Sequence, residues 1–286
     1  MKVIRKFDPW MSPLCTCPDK YSFCPYTGCG HGCIYCYVDY VPRFEEPRRK
    51  KDLMRMVEID MKSINPFSII SVSNSSDPYQ PMEEKFRDFR NFLEFAAHFP
   101  VKILITTKSD LVLRDLDILK RIGCAVMITI TTLDEKLGKK LEPSAPDPSS
   151  RLDALETLTK NGIRCGVRID PIIPYLNENE IEIIVKEVKR RGASHITSST
   201  YKARKRSFAK LTEAFPKLRD RFVRDYLENG KRMRNSLYLD EKRRRSIMER
   251  VKIACDTYGI SFSTCREGFF DLKSSASCDG SHLLTT

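Results

Sequence analysis

At 286 residues the chain is long enough to bury a large core, and a single (β/α) barrel needs about that length. Eleven cysteines, an odd number, together with a charged lead that lacks an apolar run, argue against a disulfide-framed secreted module, a signal peptide and a transmembrane span, so the expected compartment is the cytoplasm. The net charge of +12 is concentrated, because 202–252 carries eighteen Lys/Arg against seven Asp/Glu, a balance of +11 that leaves about +1 for everything else.

Residues 1–24 read as an irregular, proline-punctuated extension that contains Leu14-Cys15-Thr16-Cys17-Pro18. The loop Gly28-Cys29-Gly30-His31-Gly32-Cys33-Ile34-Tyr35-Cys36 follows, with three cysteines at spacings of four and three residues. Three thiolates on one short loop suit three irons of a [4Fe-4S] cubane and leave the fourth iron open for a ligand. The glycines permit positive φ and a close approach of main chain to inorganic sulfide. The competing reading is a zinc site or three buried thiols. Zinc knuckles usually pair cysteines at two-residue gaps with a second pair or with histidines, and His31 fits neither spacing.

An amphipathic helix is expected over 51–63. Short β-branched runs at 69–72, 101–106, 125–130, 165–169 and 194–197 read as buried strands, with 260–263 as another. Helical periodicity occupies 83–98, 111–122, 149–161 and 178–191, and Asn161-Gly162 and Arg191-Gly192 supply two stops. Repeated βα units imply a parallel sheet with right-handed crossovers. About six of them predict the α/β class and a partial, unclosed (β/α)6 barrel of TIM type. Functional residues then belong at the strand C-termini: Ser73-Asn74-Ser75-Ser76-Asp77, Thr106-Thr107-Lys108-Ser109, Thr129 with Thr131, and Asp170. Ser109 and Asp170 read equally well as helix caps.

Cys29, Cys33, Tyr35 and Cys36 resemble the signature of the radical S-adenosylmethionine (SAM) superfamily. The resemblance implies that the open iron takes the amino and carboxylate groups of SAM, and that an electron from the cluster cleaves SAM to methionine and a 5'-deoxyadenosyl radical. From 25 to 175 the sequence is similar to the spore photoproduct lyases, through Gly28 to Tyr37, Ser73 to Asp77, Thr107-Lys108, the run around Thr129, Glu142-Pro143 and Gly166 to Pro171. This implies that Lys108 binds the SAM carboxylate, that Ser76 and Asp77 lie near the SAM amino group, that Thr129 reaches the ribose, and that Tyr35 packs near the adenine through its backbone. A zwitterion needs one cation and one acceptor beside it, so these roles are chemically coherent. An electron donor such as ferredoxin or flavodoxin is implied as a partner. The chain departs from the lyases at Asn74, where they carry a hydrogen-donating cysteine, and a carboxamide is a poor hydrogen-atom donor, so the resemblance supports the cofactor chemistry much better than thymine-dimer reversal.

Residues 201–258 form a basic helical segment expected to complete the barrel, with helical spacing over 207–227 and 240–258. Its two readings are a solvated basic face and a docking surface for tRNA or DNA. The tail, 259–286, contributes Cys265 and Cys278. With Cys15 and Cys17 these make four thiols in two pairs, a candidate second site for an iron-sulfur cluster or zinc. Cys24, Cys124, Cys165 and Cys255 read as packing residues. The expected function is therefore a radical SAM enzyme acting on nucleic acid. The alternatives are modification of a protein or small molecule, and a non-catalytic metal-containing nucleic-acid-binding protein.

Overall fold

The computed structural model describes residues 2–7, 12, 14–38, 40–72 and 74–284. Ser73 lies outside the described residues, as do Met1 and Asp8 to Trp10 of the charged lead.

Eight strands form one sheet: β1 (Ile4–Lys6), β2 (Tyr21–Phe23), β3 (Ile69–Val72), β4 (Lys102–Thr107), β5 (Gly123–Thr129), β6 (Arg164–Ile172), β7 (His195–Thr200) and β8 (Ser261–Thr264). Their spatial order is their chain order. β1 is antiparallel to β2, and every later neighbour pair is parallel, so β2 to β8 end at the same edge of the sheet. The sheet has two free edges, β1 and β8, and is a partial barrel. No helix among the described residues is long and apolar enough to cross a membrane.

Alternation along the strands divides the core in two. Ile103, Ile105, Val126, Ile128, Val167 and Ile169 face the helices, together with Leu155, Leu158, Ile184 and Val188. Leu104, Ala125 and Met127 face inward and pack against Leu283. The C-terminal tail therefore fills the barrel interior. Its closest approach is at Gly280, where φ is +89° and a Cβ would lie 2.4 Å from Met127 Sδ, so only glycine fits.

Four sequence expectations are corrected here. The lead-in is not wholly irregular, because β1 and β2 belong to the main sheet; three-residue strands are too short to show a period of two. The helix expected over 83–98 is two, Pro81–Phe86 and Asp88–Ala96, separated at Arg87, which adopts φ 53°. The segment 111–122 opens as a 3-10 turn over Asp110–Asp115, capped by Ser109 accepting from Leu111 N at 3.2 Å, and only Leu116–Leu119 is α-helical. The span 207–227 breaks at Pro216, which has no N–H to donate and clashes with the preceding turn. It becomes Lys205–Ala214, Pro216–Leu218, Arg219–Val223 and a π turn over Arg224–Glu228. The basic linker after it is a hairpin, Lys231–Met233 against Ser236–Tyr238, and the second basic helix is Glu241–Thr257.

Candidate active site

The cysteine loop sits over the C-terminal ends of the strands and is pinned by its own backbone. Cys29 N donates to Phe44 O at 2.8 Å, Ile34 N to Leu141 O at 2.9 Å, and Ser144 N to His31 O at 3.1 Å. Gln80, fully buried, accepts from Gly30 N at 2.8 Å and donates to Gly28 O at 3.1 Å. Gly28 has φ +86°, and a Cβ there would meet Phe44 O at 2.6 Å, so the turn that delivers Cys29 requires glycine.

Cys29, Cys33 and Cys36 line one cavity of about 290 Å³ together with Tyr35, Ser76, Asp77, Lys108 and Thr129. Every residue singled out for the cluster and for SAM thus borders one space. Burial raises the pKa of all three thiols, that of Cys29 to about 12, while Lys108 pulls those of Cys33 and Cys36 back down. Main-chain amides of His31 and Asp77 face the Cys29 sulfur, and that of Val38 faces Cys36. Half-buried sulfurs with amide donors and a nearby cation suit iron-sulfur ligation, in which metal replaces the thiol protons.

Asp77 ties the loop to the end of β4. Its Oδ1 accepts from Thr107 Oγ1 at 2.7 Å and Tyr79 N at 2.9 Å. Its Oδ2 accepts from Lys108 N at 2.7 Å and lies 3.2 Å from His31 Nε2. Burial raises its pKa, but His31, Lys108 N and Thr107 outweigh that and hold it below the ordinary carboxylate value. Three hydrogen bonds and the neighbouring His31 ring therefore surround its two oxygens.

Lys108, half-buried on the cavity wall, lies near Cys33 and Glu142. Burial alone would lower its pKa, but Cys33 and Glu142 reverse this, and the ammonium lies 5.8 Å from the centre of the Tyr35 ring. Glu142 anchors the region: it pairs with Arg151 at 2.5 Å, accepts from Thr131 Oγ1 at 2.6 Å, and accepts from the Tyr35 hydroxyl. Arg151 also donates to Thr129 O at 3.2 Å, which fixes the end of β5. Glu142 was visible in the sequence only as part of Glu142-Pro143, and nothing in the spacing paired it with Arg151. Ser76 borders the cavity while its Oγ donates to Tyr26 O at 3.1 Å.

The opposite wall carries Arg168, Asp170, Ser199, Lys202 and Arg266. Asp170 is not a helix cap; it lies on β6, pairs with Arg168 and accepts from Ser199 Oγ at 2.5 Å, because the strand runs past it to Ile172. Asn74, also on the cavity, is held by Ser22 Oγ at 2.6 Å and, through its carbonyl, by the Tyr37 hydroxyl at 2.6 Å. Cys15, Cys17 and Cys265 border the same space, and Cys278 Sγ lies 3.6 Å from Cys17 Sγ. The other cysteines pack within the fold, Cys165 and Cys255 buried and Cys124 donating to Leu119 O at 3.3 Å.

Part of the basic segment is neutralised by carboxylates from elsewhere in the chain, which its composition did not reveal. Lys202 and Arg244 pair with buried Glu267, Arg243 with Glu178, Arg245 with Asp271, and Arg206 and Lys210 with Glu45. Those carboxylates come from outside 202–252. Lys217, Arg219, Arg224, Lys231 and Arg232 remain exposed and form no ion pair among the described residues.

The Radical SAM superfamily model matches residues 23–188. An uncharacterized protein of Methanocaldococcus jannaschii is 35% identical over 181 residues, covering 59% of this chain and 66% of its own length. An uncharacterized protein of Acidianus two-tailed virus is 31% identical over 191 residues, covering 59% of this chain and 63% of its own. In both, the match covers less than two thirds of the relative. Among solved structures, a spore photoproduct lyase mutant with bound AdoMet and dinucleoside spore photoproduct superposes with a TM-score of 0.69 at 15% identity, over 85% of this chain and 75% of that one. SuiB of Streptococcus suis bound to S-adenosylmethionine gives 0.58 at 15% identity, over 89% and 53%. At such identities the likeness concerns the fold.

Proposed function

The chain belongs to the radical SAM superfamily, and from that premise we propose that it is an enzyme that reductively cleaves SAM and acts on a nucleic-acid substrate. The observation that carries the first part is the convergence of Cys29, Cys33, Cys36, Lys108 and Thr129 on one cavity at the strand C-termini. The thiolates of Cys29, Cys33 and Cys36 would hold a [4Fe-4S] cluster, which would supply the electron for reductive cleavage of SAM.

The chain's own residues supply position and charge. Lys108 offers its ammonium to the SAM carboxylate, and burial strengthens that contact because water does not screen it. Asp77 acts as a positioning residue, holding His31 in the cysteine loop and Lys108 on β4, since protein groups already surround its oxygens. Tyr35 is oriented by Glu142 and Thr131, and Thr129, fixed by Arg151, presents its hydroxyl to the ribose. Arg168 and Lys202 on the cavity wall are already paired with Asp170 and Glu267, so the charge that would attract a phosphodiester lies elsewhere. Lys217, Arg219, Arg224, Lys231 and Arg232, exposed in the basic segment, supply that charge.

The test is 5'-deoxyadenosine formation by anaerobically reconstituted protein given SAM and a strong reductant. Product that disappears in Cys33→Ala supports the reading, and iron-loaded protein that leaves SAM intact refutes it. Binding of tRNA and duplex DNA at increasing salt tests the substrate class. Neutralising five phosphates gives a log-log salt slope near −4.5 on DNA, at about −0.9 per phosphate. Salt-insensitive or absent binding would redirect the assignment to a peptide or small-molecule substrate.

A further inference from the structure

We propose that Cys15, Cys17, Cys265 and Cys278 form a second iron-sulfur centre, distinct from the Cys29-Cys33-Cys36 loop and set in the wall of the same cavity. The four thiols come from opposite ends of the chain, and Cys17 and Cys278 are 261 positions apart with sulfurs in contact at 3.6 Å. Cys15 and Cys265 line the same cavity as Cys17.

Contacts that involve no sulfur hold the four in place. Lys20 pairs with Asp279 in a buried position, Thr197 Oγ1 donates to Cys278 O at 2.8 Å, and Cys265 N donates to Ser198 O at 2.8 Å. Leu14 reaches Gly268, where a Cβ would come within 3.2 Å of its side chain. The gathering of thiols is thus built by the fold and does not depend on a disulfide. Cations accompany it: Lys20 lies beside Cys17 and Cys278, and Arg168 beside Cys265, which suits a centre whose ligands are all anionic. Three of the four face the cavity, whereas Cys165 and Cys255 are sealed among apolar side chains.

The spacing favours a centre with several irons over zinc. Zinc at about 2.3 Å from four sulfurs would place every pair of them roughly 3.8 Å apart. Cys17 and Cys278 match one such edge, yet among the described residues no three His, Cys, Asp or Glu side chains converge on a single ion. The same holds for the Cys29-Cys33-Cys36 loop, whose superfamily uses a cubane. A [2Fe-2S] centre carries two thiolates on each iron, so a close pair with two further thiols nearby is compatible with it.

Three proteins, reconstituted anaerobically with ferrous iron and sulfide, decide the matter: the wild type, the triple variant Cys29→Ala/Cys33→Ala/Cys36→Ala, and the double variant Cys17→Ser/Cys278→Ser. Iron, sulfide and zinc are counted, and EPR spectra are taken with and without SAM. The wild type is expected to hold iron well beyond about four per chain. The triple variant should keep a cluster whose spectrum ignores SAM, and the double variant should fall to about four irons with a SAM-sensitive spectrum. A wild type that stops at about four irons, or a folded triple variant that binds none, overturns the proposal. One zinc per chain that vanishes in the double variant overturns it too. If the double variant misfolds, the wild-type and triple-variant counts still decide. Because the triple variant lacks the loop cluster, this result is independent of whether the wild type cleaves SAM.

Discussion

Replacing Lys108 with alanine tests the assignment of the SAM site most directly. The side chain is half-buried, and Cys33 and Glu142 hold its pKa above the ordinary lysine value against desolvation. Removing it leaves Glu142 still paired with Arg151 at 2.5 Å and hydrogen-bonded to Thr131, so the wall keeps one countercharge and the fold is expected to survive. A carboxylate brought into this site would lose a charge-assisted partner in a water-poor environment, a loss of roughly 2–4 kcal/mol. At 1.4 kcal/mol per factor of ten, SAM affinity should fall about 30- to 700-fold. The assay is SAM titration of anaerobic protein, followed through the cluster's EPR signal at equal iron content. Lys108→Ala that binds SAM within about twofold of wild type, with the same iron per chain, would refute the placement of the SAM carboxylate. Loss of iron instead of affinity would assign Lys108 to cluster assembly.

Other expectations follow from the same geometry. Asp77→Asn keeps the shape but weakens the His31 contact, so iron retention should drop by more than half and SAM affinity at equal iron should change little; a selective loss of SAM affinity would contradict the positioning role. Arg151→Ala breaks the buried pair with Glu142 and leaves Lys108 as its remaining countercharge, at a cost of about 3–5 kcal/mol. With unfolding entropy near 2.1 cal/mol/K per residue, this lowers Tm by roughly 5–8 °C by calorimetry, and an unchanged Tm would show that Glu142 takes up a proton or finds another partner. Asp279 has its pKa held down to about 2, since Lys20 and the Ser281 donors overcome its burial. A carboxylate depressed on folding stabilises the protein above its unfolded value near 3.8, and that contribution disappears as pH falls toward 2. Asp279→Asn should therefore flatten the loss of stability between pH 4 and 2, and an unaltered acid limb would refute it.

The cysteine spacing, the alternation of β-branched runs with helical periods, and the polar residues at the run ends determined most of the architecture and the candidate site from sequence alone. All of these are local signals. Strands such as β5 show continuous burial over four or more residues, and Cys29, Cys33 and Cys36 share one loop, so no long-range information is needed to recognise either. Short or interrupted elements escaped. β1 and β2 are three residues each, and Arg87 breaks a helix by adopting φ 53°, which its residue type does not announce.

Only the tertiary structure decided what depends on pairs far apart in sequence. It placed Glu142 against Arg151, Tyr35 and Lys108, surrounded Asp77 with Thr107, Tyr79, the Lys108 amide and His31, and paired part of the +11 segment with Glu45, Glu178 and Glu267. It also brought Cys15 and Cys17 to Cys265 and Cys278 by running the tail through the barrel interior, where Gly280 passes Met127. Charge balance and thiol proximity are properties of distances in space. Composition and periodicity report what a residue brings to the fold, and the packing of the sheet determines what it meets there.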